Sequence, residues 1–486
     1  MRLQGVARLL VFAAVLVLPL RIVAQGYLPG DDALRHAAKV VSGKSWSEIL
    51  VLREGVELDL HPGWHAVLGA VHSVTDATAP ELVLFAVVFG FVLFCAPGLA
   101  LLARPEAYLL ALLAIGLTDP PRFNRLFLGR PFLVTAAALN LVLLLWPRLQ
   151  AGTRTPWRLL AAVTAAIGLA VWVHPSFYLW GMPILAGLCA RQGRATWRLA
   201  GCIVVGALLG GALAGHPVGL LLQNFEHGLT TVDVGAPPVT MVEELGPYMP
   251  PPSILILFFL LLVRRALAGR TVVAALDTPV FWLAVLGWVL GFVSGRFWFD
   301  FGLPAFALFV AAELSEALAA GLAADSPRRL AVVAAVAAVF VLTLSANVGG
   351  RFSRGEGRRF ATLFGSGERA ALPDPGGILY ADSMDFFFQG FYRLPKAPWR
   401  YLVGFESSIM PPDDRALFRR MLEAHPAHPP ELYAPWVGRM TPQDRLVLET
   451  SGPGDPPPIS GLAWTFVPPT FWSGRVATAA GEPPVR

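Results

Sequence analysis

Carboxylates and histidines gather in one short stretch of the chain. Between Tyr27 and His72 stand the paired acids Asp31 and Asp32, then His36, Asp59, His61, His65 and His72. Such groups hold metal ions or move protons. Gly30-Asp31-Asp32 precedes ALRHAAKV, so the acids equally suit a helix N-cap, whose side-chain oxygen accepts a backbone N–H. Both readings stay open on these residues alone. His61 and His65 lie one helical turn apart, with Pro62 in the first turn and His72 two turns on. That spacing suits a zinc pair, and equally histidines bonded to lipid headgroups or neighbours. A second acidic place, Glu243-Glu244, lies between Gln223 and Pro252, a stretch with Glu226 and Asp233 and no Lys or Arg. Magnesium or manganese prefers hard oxygen ligands, carboxylates together with substrate phosphates. Held between Asp32 and Glu243, such an ion would neutralise a phosphate leaving group.

Membrane spans must position these groups. The chain has 486 residues, 55% hydrophobic and 15% charged, against roughly 25% charged in soluble proteins. Its apolar residues come in runs of about 20, the length that crosses a bilayer. The expected class is an α-helical polytopic membrane protein. The net charge of +5 is scattered arginine flanking spans, which argues against nucleic acid as a partner. Cys95, Cys189 and Cys202 lie in apolar runs without metal-ligand spacing and read as packing residues.

Arg2 and Arg8 precede the first span, about Leu9 to Ala24, which puts the N-terminus in the cytoplasm and Asp31 outside. Ala24-Gln25-Gly26 looks like a cleavage site, but further spans follow and we read an uncleaved anchor. Leu34 to Val41 and Trp46 to Leu52 read as short surface helices, and Trp64 to Thr78 as interfacial. Further spans are expected near Leu82 to Leu102, Ala107 to Leu117, and up to Trp146, His174, Arg191 and Leu222. The last ones end near Arg265, Val293, Leu322 and Val348. About eleven spans place the arginine-rich turns inside and the acidic loop outside; removing the short third span would reverse both.

The outer loop TDPPRFNRLFLGR breaks that rule with Arg122, Arg125 and Arg130, as does Arg296. Guanidinium on the outer face suits an anionic ligand such as phosphate, which it grips with two parallel hydrogen bonds. It equally suits headgroup contact or pairing with Asp119 and Asp300. After about residue 350 the pattern changes. GGILYAD, WRYLVGFE, DRLVLET and AWTFVPP read as strands, and PDDRALFRRMLEAH as an amphipathic helix. The expected organisation is a transmembrane domain over 1–349, with external loops at 25–80, 119–130 and 223–252, and an extracytoplasmic α/β domain over 350–486.

These stretches resemble a family. Gly30-Asp31-Asp32-Ala33-Leu34-Arg35-His36 is similar to the first external loop of GT-C membrane glycosyltransferases, most like the catalytic subunit of oligosaccharyltransferase. Asp59-Leu60-His61-Pro62-Gly63 and Thr240-Met241-Val242-Glu243 resemble that family's following motifs. Phe123-Asn124-Arg125 with Gly129, and Arg296-Phe297, are weaker likenesses. Together they cover well under a fifth of the chain.

The resemblance implies a GT-C-like fold that moves a sugar or oligosaccharide from a polyprenyl-(pyro)phosphate donor to a protein, glycan or lipid acceptor outside the cytoplasm. It implies Asp32 and Glu243 as metal ligands, Asp32 and Asp31 as catalytic acids, and Mg²⁺ or Mn²⁺ as the ion. Arg125, Arg130 and Arg296 are the candidates for the donor phosphate; His36, His61, His65 and His174 are auxiliary. The expected place is a bacterial inner (plasma) membrane among its lipids, with the C-terminal domain periplasmic or extracellular.

The chain departs from the pattern twice. The family's second-loop Asp-x-Asp is replaced by Arg130-Pro131-Phe132, and its Trp-Trp-Asp is absent. These departures point away from asparagine-sequon acceptors. They also keep open a metal-free route with a first-loop Asp as base, and a non-catalytic transporter or scaffold that binds lipid-linked glycans.

Overall fold

The computed structural model describes residues 3–56, 59–152, 156–231, 246–353, 359–365, 369–424 and 429–477. The chain opens with α1 (Leu3–Val23), α2 (Asp32–Ser42), α3 (Trp46–Ile49), α4 (Pro62–Thr75) and α5 (Ala79–Leu101). It continues with α6 (Pro105–Thr118), α7 (Pro120–Phe123), α8 (Phe132–Gln150), α9 (Trp157–Val173), α10 (Gly181–Cys189) and α11 (Gly193–Leu213). Then come α12 (Gly219–Thr231), α13 (Pro252–Leu267), α14 (Val272–Leu276), α15 (Pro279–Gly291), α16 (Gly295–Phe297), α17 (Leu303–Gly321) and α18 (Pro327–Leu344). The tail holds α19 (Phe360–Leu363), β1 (Ile378–Ala381), α20 (Asp385–Arg393), β2 (Arg400–Tyr401) and α21 (Pro412–Ala424). It ends with α22 (Ala434–Val437), β3 (Arg445–Glu449), β4 (Leu462–Val467) and β5 (Phe471–Val476).

Local chemistry explains many of these boundaries. Pro62, Pro105, Pro252, Pro279 and Pro327 each open a helix, where the missing N–H has no intrahelical partner to lose. Ser45 with Glu48, and Thr78 with Glu81, form capping boxes at the starts of α3 and α5. Among the described residues, 6 helices are long and apolar enough to cross a membrane by length and composition. Pro105–Thr118, Trp157–Val173, Phe177–Cys189 and Pro279–Gly291 are shorter apolar helices. The chain is thus a polytopic helical membrane protein carrying a small C-terminal sheet. The expected span to Leu222 stops instead at Leu213: Gly215, at φ +79°, and Pro217 turn the chain before α12 begins.

One buried ion pair ties the spans together at the end opposite the paired acids. Arg329 donates through Nε and Nη2 to the two oxygens of Glu106, at 2.8 and 3.0 Å, and both side chains are buried. The bidentate geometry offsets the cost of taking two charges out of water.

The sheet runs in the order β2-β1-β3-β5-β4. β1 lies parallel to β2 and β3; β5 pairs antiparallel with β3 and β4. The strand β5 was not legible in the sequence, because Ser473 and Gly474 interrupt its apolar alternation. The segment between α3 and α4 adds to the edge of this sheet. Leu50 bridges Tyr401, Val51 N donates to Tyr401 O at 3.0 Å, and Arg53 N donates to Ile409 O at 2.9 Å. One apolar core accordingly runs from Ala33, Leu34, Ala37 and Leu50 to Phe387, Tyr401 and Phe405. The loop that carries the paired acids is packed on the tail as well as on the spans.

Candidate active site

The helix α2 packs against α4, α5 and α20. Its residues from Ala33 to Ala38 are all buried, and Ala33, Ala37 and Ala38 are small enough to let the backbones approach. Gly43 closes it in a left-handed conformation at φ 66°. Asp31 occupies the N-cap position but makes no side-chain cap hydrogen bond. The capping expectation for this acid therefore fails. Its carboxylate faces Arg130 instead, which donates through Nε at 3.2 Å and through Nη2. Gly129, at φ +63°, sits against Val87 N, where a Cβ would lie at 3.1 Å, and this left-handed turn delivers Arg130. Asp32 accepts from Arg35 Nε at 2.6 Å, and its other oxygen lies 3.7 Å from Arg130 Nε. The two acids remain about 30% open to solvent, at 31% and 27%. Arg35 itself is buried, with the ring of Phe405 from the tail 4.0 Å from its guanidinium carbon. The pair Asp32–Arg35 is an i,i+3 contact that sequence spacing contained. Nothing in the sequence announced Phe405.

Beside these acids lies a row of imidazoles. His36 sits one turn beyond Asp32 and is fully buried. Its Nδ1 is 2.8 Å from His65 Nε2, and His65 Nδ1 is bonded to Asp59 Oδ2. Asp59 Oδ1 also accepts from His61 N at 3.0 Å and from Trp46 Nε1 at 3.3 Å. The ring of His61 meets His36 edge-on at 4.9 Å and stacks on His174 at 5.8 Å. His174 Nε2 accepts from Arg296 Nη2 at 3.3 Å, so its Nδ1–H faces Thr135 Oγ1 at 3.1 Å. Arg296 Nε donates to Asp300 at 3.2 Å, the pairing that the sequence offered as an alternative to a ligand. The fold thus brings His36, His61, His65 and His174 together from three elements.

Burial, helped by the positive charge of Arg35, holds His36 and His61 well below the ordinary imidazole range. Burial also lowers His65, against the pull of Asp59. Burial alone would raise Asp59; the facing His65 ring and the hydrogen bonds from His65 and the His61 backbone outweigh it and lower the carboxyl. The group is a carboxylate backed by neutral rings.

Arg125 packs on aromatic rings. Its guanidinium and that of Arg122 both stand against the ring of Phe299, at 4.6 and 4.8 Å. Arg122 also stacks on Tyr248, whose hydroxyl donates to Asp119 at 2.7 Å. Glu243 and Glu244, with the motif Thr240 to Glu243, lie outside the described residues. Of the expected metal ligands only Asp32 can be placed, and both its oxygens face guanidinium groups that a divalent ion would have to displace. Among the described residues no three His, Cys, Asp or Glu side chains are placed to share a metal ion.

No family model and no curated protein matches the chain. Solved structures do. The structure of ArnT from Cupriavidus metallidurans bound to undecaprenyl phosphate is 15% identical, with a TM-score of 0.55 over 99% of this chain and 98% of that one. The apo state of the same protein gives 14% identity and a TM-score of 0.56 over the same shares. An Archaeoglobus fulgidus oligosaccharyltransferase, in complex with Zn and sulfate, gives 14% and 0.51 over 92% of this chain and 68% of that one. At these identities the likeness shows the fold: this chain has the GT-C fold of membrane glycosyltransferases.

Proposed function

We propose that this GT-C chain transfers a sugar from a polyprenyl-(pyro)phosphate donor to an acceptor on the outer side of the membrane. The observation that carries the reading is Arg130, set within 4.0 Å of both Asp31 and Asp32 although it lies 99 residues from Asp31. A phosphate-gripping cation and two accessible carboxylates thus share one spot at the head of α2. The undecaprenyl phosphate of the ArnT structure supports a polyprenyl phosphate as the carrier. In this reading Asp32 takes the acceptor's proton, or holds a metal with Glu243. Asp31 holds Arg130 until phosphate competes for it. Arg130, Arg125 and Arg296 serve the donor phosphates, whose charge grows as the sugar leaves.

The decisive experiment measures transfer from a polyprenyl-linked sugar in proteoliposomes. Asp32→Asn keeps the size of the side chain and removes its charge. It should fold, melt like wild type and lose transfer by about 10²-fold or more, the worth of one base or electrostatic group. Full transfer by Asp32→Asn would place the chemistry elsewhere. If Glu243→Gln is silent while Asp32→Asn is dead, the metal-free route is the right one. Arg125→Ala, Arg130→Ala and Arg296→Ala should weaken donor binding; unchanged binding in all three returns them to headgroup contact.

A further inference from the structure

The helix α12 is built inside out. Its hydrogen bonding extends back past its start, with Leu222 N donating to Val218 O at 3.0 Å. Val218, Leu222, Phe225 and Leu229 therefore share one face, at the four-three-four spacing of a helical stripe. All four are between 46 and 63% exposed. The side turned to the protein carries polar groups: Gln223 and Asn224 are half-buried beside the buried Leu220. A helix that meets water has its faces the other way round. Large apolar side chains in one exposed stripe mark a surface that something apolar covers.

The position of α12 says what covers it. With 13 residues it is too short to cross a bilayer, which takes about 20. It starts beside the end of the span α11, where Pro217 stands so close that a Cβ on Gly211 would lie 2.5 Å from its carbonyl oxygen. Toward its other end Gly228 meets Tyr178, whose hydroxyl would be 2.8 Å from a Cβ there. Tyr178 lies just past His174, which closes α9 and stacks on His61. The helix thus runs at the level of the span ends, on the side of the paired acids. Its exposed apolar stripe follows that of a span along the chain: Val205, Leu209 and Leu213 of α11 are exposed in the same way, and a span meets lipid.

We propose that α12 lies in the membrane boundary on the acid side, with Val218, Leu222, Phe225 and Leu229 seated among the acyl chains of that leaflet. The partner is the lipid surface itself. The exposed Glu226 borders the stripe and marks the edge that faces headgroups and water. The stretch from Gln223, expected as an external loop, therefore begins in the interface. The seat reaches the candidate site. α12 touches the turn Ser407–Ile409 of the tail, and Phe405, two residues before that turn, covers Arg35. The inference does not depend on which reaction the chain performs.

The test places a nitroxide label at Leu222→Cys, Leu229→Cys and Glu226→Cys in the full chain, in vesicles of phosphatidylcholine and phosphatidylglycerol. The chain without an added cysteine gives the background, since Cys95 and Cys202 are buried. Collision rates are read with oxygen, which concentrates among acyl chains, and with a nickel chelate, which stays in water. The ratio of oxygen to nickel collisions should be high at Leu222→Cys and Leu229→Cys and lower at Glu226→Cys. Two stripe positions guard against one label disturbing the fold, and wild-type elution in detergent identifies sound variants. Dominant nickel collisions at both stripe positions would put the stripe in water and overturn the proposal. Low rates with both reagents would mean that protein covers it, a second copy of the chain if the labels also couple to each other, and would overturn it too. Labels immobilised on addition of polyprenyl phosphate would assign the stripe to that lipid's chain, with the same consequence.

Discussion

Asp31 shows how one side chain can satisfy a local rule and still do something else. Its position before ALRHAAKV is that of a cap, and α2 does begin there, but the carboxylate turns to Arg130. A guanidinium with two donors outcompetes a single backbone N–H. The histidines beside it make a pH prediction possible. His36 is faced by Arg35 on its own helix, by Arg130 ahead of α8, by His61 just before α4 and by His65 on it. All these neighbours oppose its protonation, and burial opposes it more. Its folded pKa therefore lies below the ordinary value of 6.5, as do those of His61 and His65. The unfolded chain binds more protons in that window, so the contribution to stability is complete above about 6.5 and is lost as pH falls below it. Melting temperature in detergent should be level from about pH 8 to 7 and fall from about 6.5 downward. His36→Gln should fall less steeply. An unchanged slope in that variant would take His36 out of the account.

At the scale of elements, α4 depends on one close approach. Gly63 follows Pro62 at the start of α4 and faces Trp172 near the end of α9. A Cβ there would stand 2.6 Å from the Trp172 ring and 2.8 Å from its backbone. Backbone cannot yield as a flexible side chain can, so Gly63→Ala must push α4 off α9. We expect it to cost about 1–3 kcal/mol, the usual range for overpacking, and to lower transfer by displacing His61 and His65. A variant with wild-type melting and activity would show that α4 is loosely seated. Sequence likeness had marked Asp59 to Gly63 as one motif. The structure supplies a separate physical reason for each member: a carboxylate for His65, a stacked ring, a helix start and a close contact.

At the scale of the whole molecule, the arginine distribution makes the strongest statement about orientation. Arg328 and Arg329 belong inside, and the tail outside, if the outer face is the one that carries Asp31. Reporter fusions after Arg329 and after Arg351, on either side of α18, should report opposite sides of the membrane. The same side for both would sink the topology and move the tail into the cytoplasm. That result would be hard to square with the tail's packing. Leu50 and Val51 from the first loop join the edge of the tail's sheet, and Phe405 covers Arg35. The tail and the first loop must therefore lie on one side together.

Class was legible in the chain because it depends on sums along it. Apolar runs of bilayer length, prolines at helix starts and arginines at span ends act where they stand. The acid-rich stretch and most of the tail's strands were visible for the same reason. Pairing was not. Arg130 could have met phosphate, lipid or any outer acid, and its meeting with Asp31 depends on how α5 and α8 pack around Gly129. The row from the Asp59 carboxylate through His65 to His36 and the stack of His61 on His174 exist because burial removes water as a competing partner. Those choices are made by packing in three dimensions, which residue order constrains only through the whole fold.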